Sequence, residues 1–581
     1  MSETMPQTIW HKMRYTPMRD FLRGKLTGRL DLRRPLEESG LPIPIKRVIH
    51  RTVAKTLLWR LERLEVTHEL ISHFADGLAA GISSEDLISK FGNERQAARL
   101  IRRAKRRNRP LPWHAARFAG WFMAALLSLY SGYALYFFAG KPSPHVDYAA
   151  NINRAIEAAP VEDRAWSFYR RALLGMGNLG QLESQPQFYR SESPWLLQFV
   201  KDHQEQVEWI RKGAAKPEFG FLIGANGSAF DEELWPERKR PSVDPVSGEN
   251  LIGVALPPIR TIRMLAGTLA ADAVLARQAK DGKRLARDLH ALPSFSRQMG
   301  SRAPLLWGLV SLAMYDTALD QIELTLNEDP TLITQDNWNS ITEELSKPKV
   351  SSDLITFDSE RLWFEDMLQR SFTDDGSGNG RFTPEGVRYF DGSLGLNAKR
   401  PWREFMVHPA VGLFVPSRQK LSSEYTEVLN RASANLKLPM REVDWTEIEH
   451  ALESSRADKS PVSIALFAPS FWMAQARAEA HLGRRDGIIV GIALEAYRRE
   501  HGSYPPQLQA LVPAYLSEVP ADRFTGKALG YRLADGKVSV YSVGTDRDDD
   551  GGRAPVKPYT ASLWESQEQV PDGDWVVYST R

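Results

Sequence analysis

The sequence predicts a multidomain, mostly α-helical membrane protein that ends in a small α+β domain. Three observations predict this class. The chain of 581 residues is longer than one hydrophobic core usually supports. An uncharged stretch of 23 residues, 118–140, is long enough to cross a bilayer. Helical periodicity dominates most of the remaining chain, and a strand-like pattern follows only near the C-terminus.

The charge of the chain divides at the uncharged stretch. Residues 1–117 contain 24 basic and 12 acidic side chains and carry +12, whereas the remaining residues carry −9. Two parts so different in sign indicate two different surroundings. The sequence has no cysteine, which excludes disulfides and thiolate metal sites, so an exported part relies on packing or bound ions.

The first predicted domain, residues 1–116, is a basic helical module. Apolar periodicity predicts a helix over Val48–Phe74. Ser83 is placed to cap a short second helix that ends near Gly92, and a third helix is expected from about Glu94.

The stretch DGLAAGISSEDLISKFGNERQAARLIRRA in this module is similar to small helical cytoplasmic modules of the HAAS family. This resemblance implies a protein-interaction domain, whose partner is unknown. His68 and His73 nearby lie five residues apart, whereas a helical zinc motif needs histidines four apart. They are therefore interpreted as part of a solvated helix face.

The uncharged stretch 118–140 is predicted to be a transmembrane helix; the alternative is a buried helix of a soluble core. Trp121 and Tyr136, near its two ends, suit the membrane–water interfaces. The stretch lies too far from Met1 to belong to a cleaved signal peptide.

Arginines crowd the N-terminal side of this stretch, while Lys141 stands alone on the other side until Arg154. The positive-inside rule therefore predicts a single-pass protein of the inner, cytoplasmic membrane, with a cytoplasmic N-terminus and an extracytoplasmic C-terminal portion. Anionic lipid at the cytoplasmic face is the expected partner of the arginines. Nucleic acid is not expected, because no aromatic platform is interleaved with the basic residues.

Two further helical regions are predicted after the membrane segment, an outer domain over 142–345 and a second region over 346–480. The first contains a helical hairpin between Ile262 and Leu292. No fixed repeat period can be laid over it. Residues 218–258, rich in Gly, Pro and charge, are expected to form a long loop.

The second helical region contains the acidic loop DDGSGNGRFTPEG, residues 374–386. With Asp375 at position one, Ser377 and Asn379 fall at calcium-ligand spacing, and the loop resembles an EF-hand or dockerin-like loop. It departs from the pattern where Glu385 comes one place before the expected last ligand. The resemblance implies calcium; the alternative is a solvated Gly-rich turn.

A second acidic loop, GTDRDDDGG, covers residues 544–552. Asp546, Asp548 and Asp550 reproduce the first half of a calcium loop, although Lys557 occupies position twelve. Carboxylates this close repel one another unless a cation or water separates them, which favours calcium over a bare turn.

Around this loop, the segments DGIIVGIALEAYRREHGSYP, VPADRFTGKALGY and VYSVGTDRDDDGG resemble the C-terminal domain of the major pseudopilin of type II secretion systems. The resemblance covers residues 484–581 and implies a helix, a small antiparallel sheet and a calcium loop, with Asp572 or Asp574 as further ligands. The chain shows no prepilin leader, so assembly into a fibre by the pilin route is not expected.

The function favoured by these patterns is that of a membrane-anchored, non-catalytic interaction or structural protein with calcium-ordered loops. One alternative is an extracytoplasmic hydrolase that uses paired carboxylates among Asp358, Glu360, Glu365 and Asp366. Another is a signalling protein whose cytoplasmic helices report binding outside. The sequence contains no hydrolase, metalloprotease or nucleotide-binding fingerprint, so no enzyme activity is expected.

Overall fold

The computed structural model describes two compact units, Met1–Ser131 and Gly132–Arg581. The fold is mostly helical, with one small sheet near the C-terminus, as the sequence predicts. The five predicted domain segments are finer than this division and stay a prediction. Structure is described for residues 9–16, 26, 28, 30–109, 111–224, 227–239, 251, 259–300, 305–394, 401–457, 462, 464, 471–544, 546–555 and 573–580.

The first unit is a helical module around a small apolar core that includes Ile45, Ile49 and Phe74. Ser83 caps a helix as expected, because its hydroxyl accepts a hydrogen bond from the amide of Asp86. The helices of the unit are Ile9–Tyr15, Arg34–Glu37, Ile43–Thr56, Arg60–Ala79, Ser84–Phe91 and Glu94–Arg107.

The single helix predicted over Val48–Phe74 is two helices in the structure. The first ends at Thr56 and is followed by Leu57, whose backbone is left-handed with φ of 51°. Arg102 donates to the carbonyl oxygen of Thr56 at 2.5 Å and to that of Lys55 at 2.8 Å. A side chain from another helix thus satisfies carbonyls that would otherwise continue the helix, which the local pattern does not reveal.

A helix over Leu111–Phe138, here called the apolar helix, contains most of the predicted membrane segment. Its 26 residues Trp113–Phe138 are long and apolar enough to cross a membrane, judged by length and composition. Most of their side chains are exposed to the outside of the protein. The helix starts seven residues before the predicted segment 118–140 and ends two residues before its end.

The second unit is built mainly from helices that pack against one another. The predicted hairpin is confirmed by helices Ile259–Gln278 and Gly282–Gly300. Residues 240–250 and 252–258 of the expected long loop lie outside the described residues. The other helices of this unit are Tyr148–Glu157, Trp166–Met176, Leu179–Leu182, Pro194–Asp202, Gln204–Ala214, Leu305–Glu328, Gln335–Leu345, Asp358–Gln369, Pro384–Leu394, Pro401–Phe414, Arg418–Asn435, Thr446–Ala457 and Phe471–His501.

The last of these, Phe471–His501, is here called the C-terminal helix. It is followed by an antiparallel sheet in the order β1-β2-β3, with strands Gly530–Ala534, Lys537–Ser542 and Trp575–Ser579. Gly502, with φ of 78°, ends the helix where the sequence places a stop. The helix followed by a small sheet agrees with the predicted α+β ending.

Three glycines let β3 lie close against the C-terminal helix. A Cβ atom at Gly483 would lie 2.7 Å from the ring of Trp575. One at Gly487 would lie 2.6 Å from the Cβ of Val577, and one at Gly491 would lie 2.7 Å from the ring of Tyr578. Residues four apart share one face of a helix, so these three glycines form a continuous groove in which β3 packs.

The sheet and the C-terminal helix share one core with the helices over 259–345. Trp338 and Ile341 belong to the same buried cluster as Ile488, Val540 and Tyr578. Ion pairs reinforce the junction: Arg484 contacts Asp316, Asp320 and Glu323 at 2.6 to 2.7 Å. The C-terminal segment is therefore packed into the second unit.

Candidate metal centre

The loop after β2 brings three carboxylates together. Oxygen atoms of Asp546, Asp548 and Asp550 lie within 4.8 Å of one another. Among the described residues this is the group of acidic and histidine side chains whose spacing suits a metal ion. Carboxylate oxygens are ligands that calcium prefers in proteins.

Three carboxylate oxygens in this region are buried without a hydrogen-bond partner among the described residues. They are Oδ1 of Asp546, Oδ2 of Asp550 and Oδ1 of Asp574. The side chain of Asp574, just before β3, is fully buried. Buried carboxylate oxygens are normally paired, so three orphan oxygens in one loop system fit a cation among them.

The electrostatics of the loop agree with this geometry. Burial raises the pKa of Asp546, and the neighbouring Asp548 carboxylate raises it further. Burial also raises the pKa of Asp574, with added repulsion from Asp549 and Asp550. The ionised form of both carboxyl groups is therefore disfavoured, and a divalent cation would stabilise it.

Hydrogen bonds hold the loop in this shape. The amide of Gly552 donates to Oδ2 of Asp574 at 2.6 Å, and Tyr541 donates its hydroxyl to Asp549 at 3.0 Å. Gly552 has φ of 80° and lies against the Tyr541 ring, so a side chain there would be strained and crowded. Arg553 forms an ion pair with Asp550 and so offers that carboxylate a competing partner.

The segment PADRFTG, which belongs to the pseudopilin-like pattern, connects the second acidic loop to neighbouring elements. Asp522, almost fully buried, accepts hydrogen bonds from the amides of Phe524 at 2.7 Å and Val543 at 2.9 Å. The next residue, Arg523, donates to Asp486 at 3.0 Å and to Glu479 at 3.1 Å. The loop is thereby attached to the C-terminal helix. Asp572, the other expected ligand, lies outside the described residues.

In the first acidic loop, the predicted calcium ligands Asp375 and Asn379 accept hydrogen bonds from other groups of the protein. Oδ1 of Asp375 accepts hydrogen bonds from the amide and the hydroxyl of Ser377 and from the amide of Asn379. The Asn379 oxygen accepts from the amide of Gln419 at 3.3 Å. Glu385 is exposed in the first turn of helix Pro384–Leu394. This pattern favours the hydrogen-bonded turn, and calcium in this loop stays a prediction.

The same acidic loop contacts the end of the apolar helix. The guanidinium of Arg381 lies 3.6 Å from the ring centre of Tyr136 and donates to its carbonyl oxygen at 3.0 Å. Asp374 contacts the ring of His145 at 2.6 Å. One side chain thus stacks on an aromatic ring and satisfies a carbonyl at the helix end, which anchors the apolar helix to the loop.

The four carboxylates that the hydrolase alternative would use each have different surroundings. Glu360 accepts from the amide of Leu305 at 2.8 Å, and its burial raises its pKa. Asp366 binds Arg370 at 3.1 Å, Glu365 binds the Ser422 hydroxyl, and Asp358 is exposed at a helix start. These contacts give each of the four acids its own structural partner or exposure to solvent.

A buried charge network in the helical hairpin was not anticipated from the sequence. Arg211 binds Asp288 at 2.7 Å and also pairs with Asp272, which Arg284 contacts at 2.9 Å. The arginines hold the pKa of Asp272 low, whereas full burial and the nearby Asp272 raise that of Asp288. The sequence signal for this network was Asp272 itself, a single aspartate within an otherwise apolar stretch. Each buried aspartate of this network has an arginine partner, which indicates a structural role.

Comparisons with protein-family models, with curated proteins and with solved structures gave no match for this chain.

Proposed function

We propose that this chain is a membrane-anchored, non-catalytic interaction or structural protein whose C-terminal domain is ordered by calcium. The observation that carries the proposal is a set of three buried carboxylate oxygens, on Asp546, Asp550 and Asp574, which have no hydrogen-bond partner in the described part of the chain and lie beside the carboxylate of Asp548. Such an arrangement costs free energy unless a cation compensates it. Calcium suits oxygen ligands of this kind on a flexible loop.

The proposed anchor is the apolar helix, with the first unit in the cytoplasm. Arg99, Arg103, Arg106 and Arg107 are exposed on helix Glu94–Arg107, at spacings that share one face. Desolvation and the neighbouring Arg102, Arg109 and Arg117 lower the pKa of Arg106, which reflects how crowded the positive charge is. A basic face just before a membrane span suits anionic headgroups of the cytoplasmic leaflet.

The proposed interaction role rests on the C-terminal domain. Its elements, a long helix, a glycine stop and a three-stranded sheet with an acidic loop between the second and third strands, support the resemblance to the major pseudopilin. The separately engaged carboxylates around Asp366 weigh against the hydrolase alternative.

Calcium titration of the full-length protein in lipid nanodiscs, followed by calorimetry, tests the metal part. We expect saturable binding that is lost in Asp546→Asn/Asp548→Asn. Asp535→Asn is the matched control, because it removes one carboxylate of the same domain at the β1–β2 turn, where φ is 51° and asparagine is tolerated. Absence of calcium binding by the unmodified protein would refute calcium ordering and leave only the fold resemblance.

A further inference from the structure

A second apolar element lies beside the end of the apolar helix. This is helix Pro401–Phe414, here called the lateral helix. Residues 405–417 contain no Asp, Glu, Lys or Arg, whereas Glu404 and Arg418 stand directly before and after them. Fourteen helical residues extend about 21 Å, which is too short to cross a hydrocarbon core of roughly 30 Å.

The lateral helix packs directly on the last turns of the apolar helix. The rings of Phe405 and Phe138 stack at 6.0 Å between centres. A Cβ atom at Gly412 would lie 2.7 Å from the ring of Phe137 and 3.3 Å from the hydroxyl of Tyr133. The absence of a side chain at Gly412 therefore allows the two helices to approach closely.

The outer face of the lateral helix is apolar. Phe405, Met406, Leu413 and Phe414 have exposed fractions of 38, 49, 58 and 69%. On the opposite face, His408 is buried and Val411 packs against the core. A surface helix of a soluble protein normally turns polar residues outward, so this arrangement is reversed. Such a patch marks a surface that something apolar covers.

The position of the patch indicates what covers it. Leu135 and Tyr136, in the last turns of the apolar helix, are also exposed, at 68 and 56%. The lateral helix therefore lies beside the exposed end of a helix that is long and apolar enough to span a membrane. If lipid surrounds the apolar helix, the same lipid reaches the neighbouring face of the lateral helix.

We propose that the lateral helix lies in the plane of the membrane, with Phe405, Met406, Leu413 and Phe414 inserted at the boundary between headgroups and acyl chains. An in-plane helix needs an apolar face that reaches this boundary and charged residues that stay in water, and Glu404 and Arg418 flank the apolar run accordingly. The inference rests on the proposed membrane anchoring. Its consequence is that the second unit is held against the bilayer at two places.

The absence of cysteine from the chain allows a direct test. Single variants Met406→Cys and Leu413→Cys are labelled with a polarity-sensitive fluorophore in the full-length protein, which is reconstituted into phosphatidylcholine vesicles. Leu127→Cys in the apolar helix reports anchoring, and Ser340→Cys, on an exposed helix surface, reports water. We expect blue-shifted emission and quenching by brominated phosphatidylcholine at residues 406, 413 and 127, and neither effect at 340.

The outcomes separate the inference from the anchoring. Quenching at Leu127→Cys with water-like emission at both lateral-helix positions overturns the inference and leaves the anchor in place. Blue-shifted emission at residues 406 and 413 without quenching by brominated lipid also overturns it, because a second copy or another protein then covers the face. Loss of quenching at all three positions overturns the anchoring and the inference together.

Discussion

The side chain of Asp574 combines complete burial with an oxygen atom that has no hydrogen-bond partner among the described residues. Its other oxygen is used by the amide of Gly552. A buried carboxylate in this state is unfavourable by itself, since water has been removed from it and the hydrogen bond from Gly552 replaces only part of the lost interactions. Together with Asp546, whose pKa is also raised, it makes the C-terminal loop sensitive to protons.

The raised pKa values predict a particular dependence on pH when calcium is removed. The folded state then binds protons more readily than the unfolded chain, so these two groups support folding most at pH values below the ordinary range near 4. Their contribution to the free energy of unfolding falls as pH rises through the raised pKa values. In chelator, we therefore expect Asp574→Asn to be more stable than the unmodified protein at pH 7, with an advantage that disappears toward pH 4.

Thermal unfolding of both proteins between pH 4 and 7, with chelator and with calcium, measures this difference. In calcium at pH 7 the order reverses, because the variant loses a ligand. Asp535→Asn, outside the carboxylate cluster, controls for the charge change. A variant less stable than the unmodified protein in chelator at pH 7 would contradict the prediction.

At the residue level, the sequence identified the carboxylates at 546, 548 and 550 that the structure brings together. It also pointed to Asp375, Ser377 and Asn379, whose side chains bond within their own loop. Spacing along a loop cannot distinguish these cases, because it does not show which oxygens are already used. Burial and hydrogen bonding, which decide the matter, depend on distant residues.

Among the elements, the contact between the C-terminal helix and β3 depends on missing side chains. At Gly487, an added Cβ would come within 2.6 Å of Val577 side-chain atoms and 2.7 Å of its backbone oxygen. We expect Gly487→Ala to lower the free energy of unfolding, because overpacking costs about 1–3 kcal/mol and the gain in helix propensity of about 1 kcal/mol offsets only part of it.

Denaturant unfolding of the full-length protein in detergent, followed by tryptophan fluorescence, measures this change. Gly120→Ala serves as the control, since a Cβ at Gly120 would meet nothing within 4 Å. Equal stability of Gly487→Ala and the control would show that the helix and the strand can separate without cost.

The presence of a helix was easier to predict from the sequence than the residues at which it begins and ends. The helical hairpin and the cap at Ser83 follow from local patterns, because periodicity and capping are encoded within a few residues. The break at Leu57 was missed, since it depends on Arg102 from another helix. The glycines at 483, 487 and 491 carried a readable signal, a four-residue spacing, whose partner strand lies far along the chain.

For the whole molecule, the shared core around Trp338 and Val540 couples the sheet that carries the second acidic loop to the helices over 259–345. Ligand binding to the folded state alone raises its stability by about 2.7 kcal/mol when calcium is 100 times the dissociation constant. Because one core joins the two regions, we expect this gain to spread beyond the loop.

Hydrogen exchange with and without calcium measures this coupling. Amides of residues 338–345 and 488–494 should gain protection together, and the gain should vanish in Asp546→Asn/Asp548→Asn. Protection confined to residues 540–555 would show that the C-terminal segment unfolds separately from the helices.

Phe137, near the end of the apolar helix, is 1% exposed and belongs to the buried core of the second unit. The last turns of the apolar helix are therefore also part of the folded body. Proteolytic shedding by cleavage after Gly140 would remove this ring and leave a cavity beside Gly412, at a cost of about 3–5 kcal/mol for a lost buried aromatic side chain. If the apolar helix is the membrane anchor proposed above, release from the membrane by cleavage at this point would weaken the fold of the second unit.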